Sequence, residues 1–363
     1  MKRAGLNTAF GFAFLIASTS TLFAQGTVRQ QGQDVDLGRP QQTRPTTTLQ
    51  TREAVEPIQA MRDLVRDISK YARRFNQNFV VMTQGGLDLL EKADAVDGTI
   101  RSPATTYMRS LDGVIVPGLN FHPPLEGKDE TTTDKKIRAE MLRLAELGKQ
   151  RGLKILVTDF AANAKTVEES IKLNQAKKFV PFLAHNAGAN FIFDRIPTFP
   201  RRPLNENPRN IVGLKGIQNF LYLTDSSRYD RQQDFVIALS NTNFDAVVVD
   251  VFHRGRTPFV KAAVQGMKFK KLGARRLVLA YMNIGAVENY RYYWKDGWGE
   301  GNPNFISGPV PGNPDKFFVE FWRPGWRQMI TGNTKSYLYG IVAQGFDGVI
   351  LDGLDTVKFF EAG

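Results

Sequence analysis

The sequence predicts an α/β protein folded as a (β/α)8 TIM barrel. Eight short apolar runs follow one another along the chain, and helical patterns lie between most of them. The runs are continuous stretches of Val, Ile and Leu, which are typical of strands buried on both faces and hence of a parallel sheet. The chain of 363 residues also leaves room for a barrel of about 250 residues in one domain. An open, doubly wound sheet is the alternative, but no glycine fingerprint opens its first crossover.

The N-terminal part of the chain is predicted to lie outside the barrel. Residues 1–24 have a basic start, a short apolar run over Ala9–Ala17 and small residues at the end, which is typical of a secretory signal peptide. Because spanning a bilayer needs about 20 apolar residues, we expect cleavage and no stable membrane insertion. Residues 25–55 are rich in Gln, Thr, Arg and Pro, which predicts a disordered linker. We therefore expect a secreted or periplasmic protein whose barrel spans residues 56–363.

The elements of the barrel follow in order. Apolar residues recur at helical spacing from Ile58 to Ala72, which predicts an amphipathic helix through about Phe75. The predicted strands cover 78–84, 112–121, 153–160, 179–186, 219–227, 244–253, 276–285 and 346–355. Helical patterns lie between most of them, for example at 137–151 and 167–178. The stretch 197–216 has no periodicity and divides the repeat into two halves of four strands.

Polar residues stand where these strands end, which is where the active sites of such barrels gather. They are Gln84, Asp159, His185, Asp225, Asp250, Glu288 and Asp352. Several carboxylates in one mouth suit glycoside hydrolysis, in which one acid protonates the leaving oxygen and a second carboxylate acts as base or nucleophile. Repulsion and burial would push their pKa values apart. Aromatic side chains near this mouth would stack on sugar rings; the candidates are Tyr290, Tyr292, Tyr293, Trp294, Trp298, Trp322 and Trp326.

Most of these candidates also have a structural interpretation. A strand-terminal aspartate often caps the next helix, and this role suits Asp159 and Asp225 as well as a site role does. Asp250 lies inside a run of valines, where a charge is costly unless it is used or paired, so function is favoured there. Asp352 in VILDGLD argues in the same way, whereas Asp355 also suits a capping role. The structural interpretation, cover for the barrel, is favoured for Trp322 and Trp326.

Composition excludes several classes of function. The formal net charge is +12, which is compatible with anionic polymers, but Lys and Arg are scattered and no nucleic-acid module is present, so no nucleic-acid partner is expected. The chain has no cysteine, which excludes thiol catalysis and Cys-bound metals. The histidines His122, His185 and His253 lack metal-ligand spacing, so we predict neither a metal nor a cofactor. No G-x-S-x-G or P-loop motif is present, and we expect a monomer.

Four motifs together resemble one protein family. LAYMNIGAVENYRYYW (279–294) and EFWRPGWRQMI (320–330) resemble consecutive signatures of the secreted barrels related to endo-α-1,4-polygalactosaminidase, glycoside hydrolase family 114. GFDGVILDGLDTVKFFE (345–361) and FDAVVVDVF (244–252) resemble two acidic strands of the same family. The resemblance spans 217–361. It implies a (β/α)8 fold and glycosidase activity on a polysaccharide.

The resemblance also implies roles for individual residues. Asp250 takes the place of the family's catalytic aspartate, and Asp352 and Asp355 match aspartates of the second acidic strand. Tyr281, Glu288 and Arg291 match residues of the family's cleft. The catalytic candidates are therefore Asp250, Asp352 and Glu288. The substrate-binding candidates are Tyr281, Arg291 and Asp355 from the resemblance, together with Gln84, Asp159, Tyr293 and Trp294 from the strand ends and the aromatic run. Ile350 and Ala286 stand where the family has glutamates, which leaves the second catalytic carboxylate open between Asp352 and Glu288.

The order of the motifs predicts a circular permutation. In the similar proteins the strand resembling GFDGVILDGLD lies in mid-chain, and a helix resembling MRDLVRDISKYAR follows it. Here that helix, at 61–73, precedes the strands, and 197–216 would bridge the old chain ends. We therefore expect the strands near 78–83 and 348–353 to pair in parallel.

These observations predict an endo-acting glycoside hydrolase that cleaves an amino-sugar-containing or related exopolysaccharide. A non-catalytic polysaccharide-binding TIM barrel is the alternative, because Ala286 and Ile350 replace acidic residues. The substrate type that the resemblance implies is cationic, and a protein of charge +12 repels it at long range. Either the cleft is locally acidic or the substrate is acetylated or anionic.

Overall fold

The computed structural model describes residues 55–94, 96–123, 132–161, 163–184, 193–200 and 202–362. The predicted signal peptide, and all of the predicted linker except Val55, lie outside these residues. Within them, no helix combines the length and the apolar character that a membrane span requires.

Eight parallel strands form the barrel, as predicted. They are β1 Val80–Gln84, β2 Gly113–Pro117, β3 Lys154–Phe160, β4 Val180–Ala184, β5 Phe220–Tyr222, β6 Ala246–Asp250, β7 Leu277–Asn283 and β8 Gly348–Asp352. Their order in the sheet is β4-β3-β2-β1-β8-β7-β6-β5. The edge strands β4 and β5 lie close together, with 5.5 Å between the ring centroids of Phe182 and Phe220, so the barrel is nearly closed.

Helices surround the strands. They are α1 Pro57–Phe75, α2 Thr105–Met108, α3 Lys135–Gln150, α4 Ala164–Ala176, α5 Gln232–Ser240, α6 Lys261–Met267, α7 Pro324–Thr331, α8 Tyr337–Gln344 and α9 Thr356–Glu361, with 3-10 turns at Leu87–Leu90 and Leu214–Gly216. Capping side chains explain where two of these helices begin. The side chain of Asp134 accepts hydrogen bonds from two backbone amides at the start of α3, and Asn163 caps α4 in the same manner.

Short antiparallel strands decorate the barrel. Glu91–Ala93 pairs with Arg101–Pro103, and Phe252–His253 pairs with Thr257–Pro258 in a tight hairpin. The connection from β7 to α7 contains a three-stranded antiparallel sheet with its strands at Ala286–Glu288, Ile306–Val310 and Asn313–Val319. We call it the inserted sheet, and it lies beside the carboxyl end of β7.

The first and last strands of the barrel pair in parallel, with Val80 opposite Gly348 and Thr83 opposite Leu351. Glycine is needed at 348 because a Cβ there would overlap the backbone and side chain of Val80. The helix α1 packs against α7, α8 and α9 and so covers this seam. The predicted pairing is confirmed. Every (β/α)8 barrel closes through such a pair, so the pairing does not separate a permuted chain from an unpermuted one.

The segment 202–216 packs beneath the amino ends of the strands. Its residues Ile211 and Leu214 are buried in the core. The Lys270 ammonium, whose side chain is 0% exposed, donates to the backbone oxygens of Asn207 and Arg209. The same ammonium pairs at 2.5 Å with the equally buried carboxylate of Asp245. This segment is therefore part of the barrel floor as well as a connection.

Candidate active site

A cleft of about 930 Å³ opens at the carboxyl ends of the strands. Side chains from β1, β6, β7 and β8 form its inner part, and the inserted sheet and the hairpin at 252–258 form its sides. Seven of the predicted site residues line it together: Gln84, Asp250, Tyr281, Glu288, Arg291, Asp352 and Asp355. The strand ends thus converge in the manner expected of a TIM barrel.

Asp250 ends β6 and is 8% exposed. Its Oδ1 accepts hydrogen bonds from the backbone amide of Phe252, at 3.0 Å, and from Nη1 of Arg291, at 3.0 Å. Burial raises the pKa of Asp250, and the Arg291 guanidinium opposes that rise without cancelling it. The group is therefore a buried carboxyl held in a fixed orientation by a cation and an amide.

Arg291 links Asp250 to a second buried carboxylate. Its Nε donates to Oε2 of Glu288, and Nζ of Lys316 pairs with Oε1 of the same glutamate at 2.8 Å. Antiparallel pairing places Glu288 directly opposite Lys316 in the inserted sheet. Burial alone would raise the pKa of Glu288, but Arg291 and Lys316 together lower it. Glu288 therefore stays ionised, and the four side chains form a neutral chain of alternating charges.

Asp352 ends β8, on the other side of β7 from Asp250. The Tyr281 hydroxyl of β7 donates to its Oδ2 at 2.5 Å. Burial raises the pKa of Asp352; the hydrogen bonds from Tyr281 and from the backbone of Gly353 lower it, and the nearby charge of Asp355 raises it further. In the part of the chain that the structure describes, no Lys or Arg forms an ion pair with Asp352.

The turn after β7 brings these groups together. The Asn283 side chain accepts from the backbone amides of Gly285, at 3.0 Å, and Ala286, at 2.8 Å. Gly285 packs so closely on the loop after β8 that an added Cβ would overlap the carbonyl oxygen of Gly353 and the hydroxyl of Thr356. The close contact between this turn and the loop after β8 therefore depends on a glycine at position 285.

Gln84 and Asp355 line the same cleft as Asp250 and Asp352. The Gln84 side-chain oxygen accepts from the buried hydroxyl of Tyr222 at 2.6 Å. Asp355 is exposed at the start of α9 and makes no side-chain cap there. Both groups are accessible from the cleft.

Asp159 is placed differently from its prediction as a substrate-binding residue. It is 0% exposed, and its carboxylate accepts from the backbone amides of Asn120 and Phe121 and from the side chains of Asn120, Ser170 and Asn174. It does not line the cleft, and Asn163 rather than Asp159 caps α4. Its carboxylate braces the loop after β2 against α4.

Tyr293 and Trp294 also lie outside the cleft lining. The Tyr293 hydroxyl accepts from the backbone amide of Glu288 at 3.2 Å. Trp294 stacks on Phe317 of the inserted sheet, with ring centroids 5.7 Å apart. Of the aromatic run that begins at 290, Tyr290 lines the cleft, while these two rings hold the inserted sheet on the barrel.

The sequence did not single out Lys316 or the hairpin at 252–258. Lys316 reaches the site through the register of an antiparallel pair, which follows a stretch rich in Gly, Pro and Asn. The hairpin lies directly after Asp250, and its only sequence signal is the glycine at 255. Among the described residues, no group of three His, Asp or Glu side chains is arranged to hold a metal ion.

Part of the chain is similar in sequence to known proteins. Residues 220–361 match the model of glycoside-hydrolase family GH114. An uncharacterized protein of Deinococcus radiodurans is 37% identical over 125 residues, 33% of this chain and 36% of that protein. One from Methanocaldococcus jannaschii is 31% identical over 155 residues, 43% of this chain and 42% of that protein. One from Thermotoga maritima is 28% identical over 136 residues, 38% of this chain and 40% of that protein. The match to each of these relatives thus covers about two fifths of its length.

Among solved structures, PbGH5A, a glycoside hydrolase family 5 enzyme from Prevotella bryantii B14, aligns with a TM-score of 0.28 and 12% identity. The alignment covers 79% of this chain and 93% of that one. A similarity this low adds nothing to the fold described above.

Proposed function

We propose that the protein is an endo-acting glycoside hydrolase in which Asp250 and Asp352 are the catalytic pair. One observation carries this proposal: two carboxyl groups, each with a pKa raised by burial, end the strands on either side of β7 and open into one cleft. Raised carboxyl pKa values in a cleft are what an acid and a base or nucleophile need for glycoside cleavage. The match of residues 220–361 to a glycoside-hydrolase family supports the same activity.

The contacts favour different roles for the two aspartates. Arg291 donates directly to Asp250 and so favours its charged form, which suits a base or nucleophile. Asp352 is bonded to the neutral Tyr281 hydroxyl and lies near the charge of Asp355, which suits a group that keeps its proton. Asp352 then protonates the leaving oxygen while Asp250 acts on the sugar carbon or on water.

Glu288 is better suited to positioning than to proton transfer. Its pKa is lowered, and both of its oxygens are held by cations. An acid must hold a proton near the working pH, and this group does not. Its role in the proposal is to fix Arg291, which in turn orients Asp250.

The proposed substrate is an amino-sugar-containing or related exopolysaccharide of the polygalactosaminidase type. The proposal includes an exported monomer that uses no cofactor and binds no nucleic acid. It also includes the circular permutation, because α1 covers the seam between the last and first strands, where a helix that follows β8 would lie. The endo mode of cleavage is included because the family resemblance implies it.

Replacement of either aspartate tests the proposal. Asp250→Asn and Asp352→Asn keep the side-chain shape and remove the charge, so each should lower hydrolysis by about 10²–10⁴-fold. Asp63→Asn, at a half-buried position on α1 outside the cleft lining, is the matched control and should retain activity. Purified proteins would be incubated with a polysaccharide panel and products detected by mass spectrometry. An active Asp250→Asn variant with an unchanged melting temperature would exclude Asp250 from the mechanism.

The alternative is a barrel that binds polysaccharide without cleaving it. Ile350 supports it, because this side chain is 0% exposed and stands where the similar enzymes have a glutamate; Ala286 lines the cleft in place of another. Polymer binding by the wild-type protein, with no product from any member of the panel, would favour this alternative.

A further inference from the structure

The hairpin at 252–258 holds two arginines at the side of the cleft. Arg254 and Gly255 have φ angles of 53° and 72° in its loop, followed by Arg256. A left-handed conformation costs a side-chain-bearing residue on the order of 1 kcal/mol, and such positions concentrate at functional sites. Arg254 therefore occupies a position that the backbone alone would give to glycine or asparagine.

Three hydrogen bonds fix this hairpin relative to the proposed catalytic groups. The backbone amide of Arg254 donates to the Ser226 hydroxyl at 2.8 Å, and Nη1 of Arg291 donates to the Gly255 carbonyl oxygen at 3.3 Å. The amide of Phe252 donates to Asp250. The loop is thus anchored to the same arginine and aspartate that form the site.

The two guanidinium groups remain available to a ligand. The Arg254 side chain is 52% exposed, and its contact with Asp230, at 3.6 Å, is made to a carboxylate that is itself 94% exposed. Such a surface pair contributes about 0–1 kcal/mol and exchanges readily. Arg256 is exposed, and within the described residues it forms no ion pair. Both residues line the cleft.

Among the described residues that line the cleft, no carboxylate forms an ion pair with Arg254 or Arg256. Asp250 and Glu288 are paired with Arg291 and Lys316. Asp225 also lines the cleft; its hydrogen bonds come from the neutral amide and hydroxyl of Ser227, and within the part of the chain that the structure describes it forms no ion pair with either arginine. The exposed carboxylate of Asp355 and the side chain of Lys358, three residues after it on α9, also line the cleft. Among the described residues of the cleft, the guanidinium groups of Arg254 and Arg256 are therefore the cations on the hairpin side that no cleft carboxylate pairs with.

We propose that Arg254 and Arg256 bind an acidic substituent of the sugar chain, so that the substrate is a polyanionic polysaccharide. This inference rests on the proposed function for the cleavage step. Within the proposed range of amino-sugar-containing or related exopolysaccharides, it selects an acidic polymer over the cationic polygalactosamine. A guanidinium pairs with a carboxylate or a sulfate through two parallel hydrogen bonds, which gives geometric selection as well as attraction. The formal net charge of +12 steers an anionic polymer toward the protein and repels a cationic one.

Binding should be measured separately from cleavage. Titration calorimetry of the full-length Asp352→Asn variant would use four polymers: polygalactosamine, its N-acetylated form, an unsulfated polymer of N-acetylgalactosamine and glucuronate, and polygalacturonate. A sulfated version of the third distinguishes sulfate from carboxylate recognition. We expect the acidic polymers to bind at least about tenfold more tightly than the N-acetylated neutral polymer, and polygalactosamine to bind most weakly. Tighter binding of either non-acidic polymer overturns the inference.

A charge-matched pair of double variants makes the test specific. Arg254→Gln with Arg256→Gln should weaken binding of the acidic polymers about tenfold or more. Arg74→Gln with Arg151→Gln removes the same charge from exposed positions just before β1 and β3, at the opposite end of the barrel, and should change it less than about twofold. Equal losses in both double variants would show non-specific attraction and overturn the inference. Melting temperatures would confirm that both are folded.

The cleavage assay separates this inference from the proposed function. Selective, arginine-dependent binding with no product from the wild-type protein supports recognition of an acidic ligand and excludes the proposed hydrolase activity. The opposite result is cleavage of the N-acetylated neutral polymer at a rate that the hairpin variants leave unchanged. It supports the proposed hydrolase activity and excludes recognition of an acidic ligand.

Discussion

Tyr281 controls the protonation of Asp352. Its hydroxyl donates to the carboxylate and so lowers the pKa of Asp352 from the value that burial alone would give. In Tyr281→Phe that hydrogen bond is lost and the pKa rises. Because an acid catalyst loses activity as pH increases through its pKa, the alkaline limb of the pH profile of kcat/KM should move to higher pH.

Tyr222→Phe is the control for this prediction. It removes a hydroxyl of the same cleft that is bonded to Gln84 instead, so the alkaline limb should stay in place whatever happens to the rate. If the limb of Tyr281→Phe does not move, or moves to lower pH, Asp352 is not the acid.

Glu288 should contribute to stability in a pH-dependent way. Its folded-state pKa is below its ordinary value of 4.5, so its contribution is present above that pH and disappears as pH falls through the folded-state pKa. Glu288→Gln leaves two buried or half-buried cations without their shared partner, which should cost about 3 kcal/mol at pH 7. Urea unfolding at pH 7 and near pH 3 should show the deficit shrink at the lower pH. The exposed Glu300→Gln should show little difference at either pH, and a deficit for Glu288→Gln that is constant with pH would contradict the ion-pair account.

The sequence located residues whose chemistry conflicts with their neighbours. A carboxylate inside Val247–Val249 and Val251 is costly without a partner, and this conflict identified Asp250 before its contacts were known. Lys316 gave no such signal, because its role depends on the residue opposite it in an antiparallel pair. Tyr293 and Trp294 were expected in the cleft because the sequence does not distinguish an aromatic side chain that lines a cleft from one that is packed in the interior. Only the three-dimensional packing distinguishes the two.

At the scale of elements, the turn from β7 into the inserted sheet is the most constrained junction. Gly285→Ala places a methyl group against the loop that follows β8, and both backbones are fixed by hydrogen bonds. We expect a loss of about 3 kcal/mol, with catalysis falling further because Asn283 and Ala286 move with the turn. Gly213→Ala is the control, since an added Cβ there meets no atom within 4 Å. A Gly285→Ala protein with the wild-type melting temperature would show that the loop after β8 moves to accommodate the added methyl group.

The elements themselves were predictable to different degrees. The eight barrel strands were identified because each is a run of residues buried on both faces. The predicted runs extended past the strands into the loops, as at 112–121 against Gly113–Pro117, because apolar loop residues such as Leu119 and Phe121 are also buried. The inserted sheet was not predicted. Its strands at Ile306–Val310 and Asn313–Val319 contain Gly and Pro and alternate poorly, so their pairing rests on contacts that the sequence pattern does not show.

At the scale of the molecule, two features determine where new chain termini can be introduced. They are the seam at which the barrel closes and the floor beneath its strands. α1 and α9 pack against each other at the seam between β8 and β1, so a flexible linker from Ala362 to Val55 should join them without distortion. New chain ends are best placed between Arg202 and Pro203. That position precedes the carbonyl groups of Asn207 and Arg209, which hold the buried Lys270.

Under the proposed permutation, this rearranged chain, starting at Pro203 and ending at Arg202, has the unpermuted order of elements. We expect it to fold cooperatively and to match the activity of the parent barrel, because every core contact is kept and only a connection is moved. Ends placed between Arg209 and Asn210 should be far less stable, since they put terminal charges beside a Lys270–Asp245 pair whose side chains are both 0% exposed. Circular dichroism melts of the two rearranged proteins would measure the difference. If neither folds, the connection between β4 and β5 is needed intact, and the permutation loses its physical basis. If both fold equally well, the buried lysine does not hold the floor in the way its hydrogen bonds indicate.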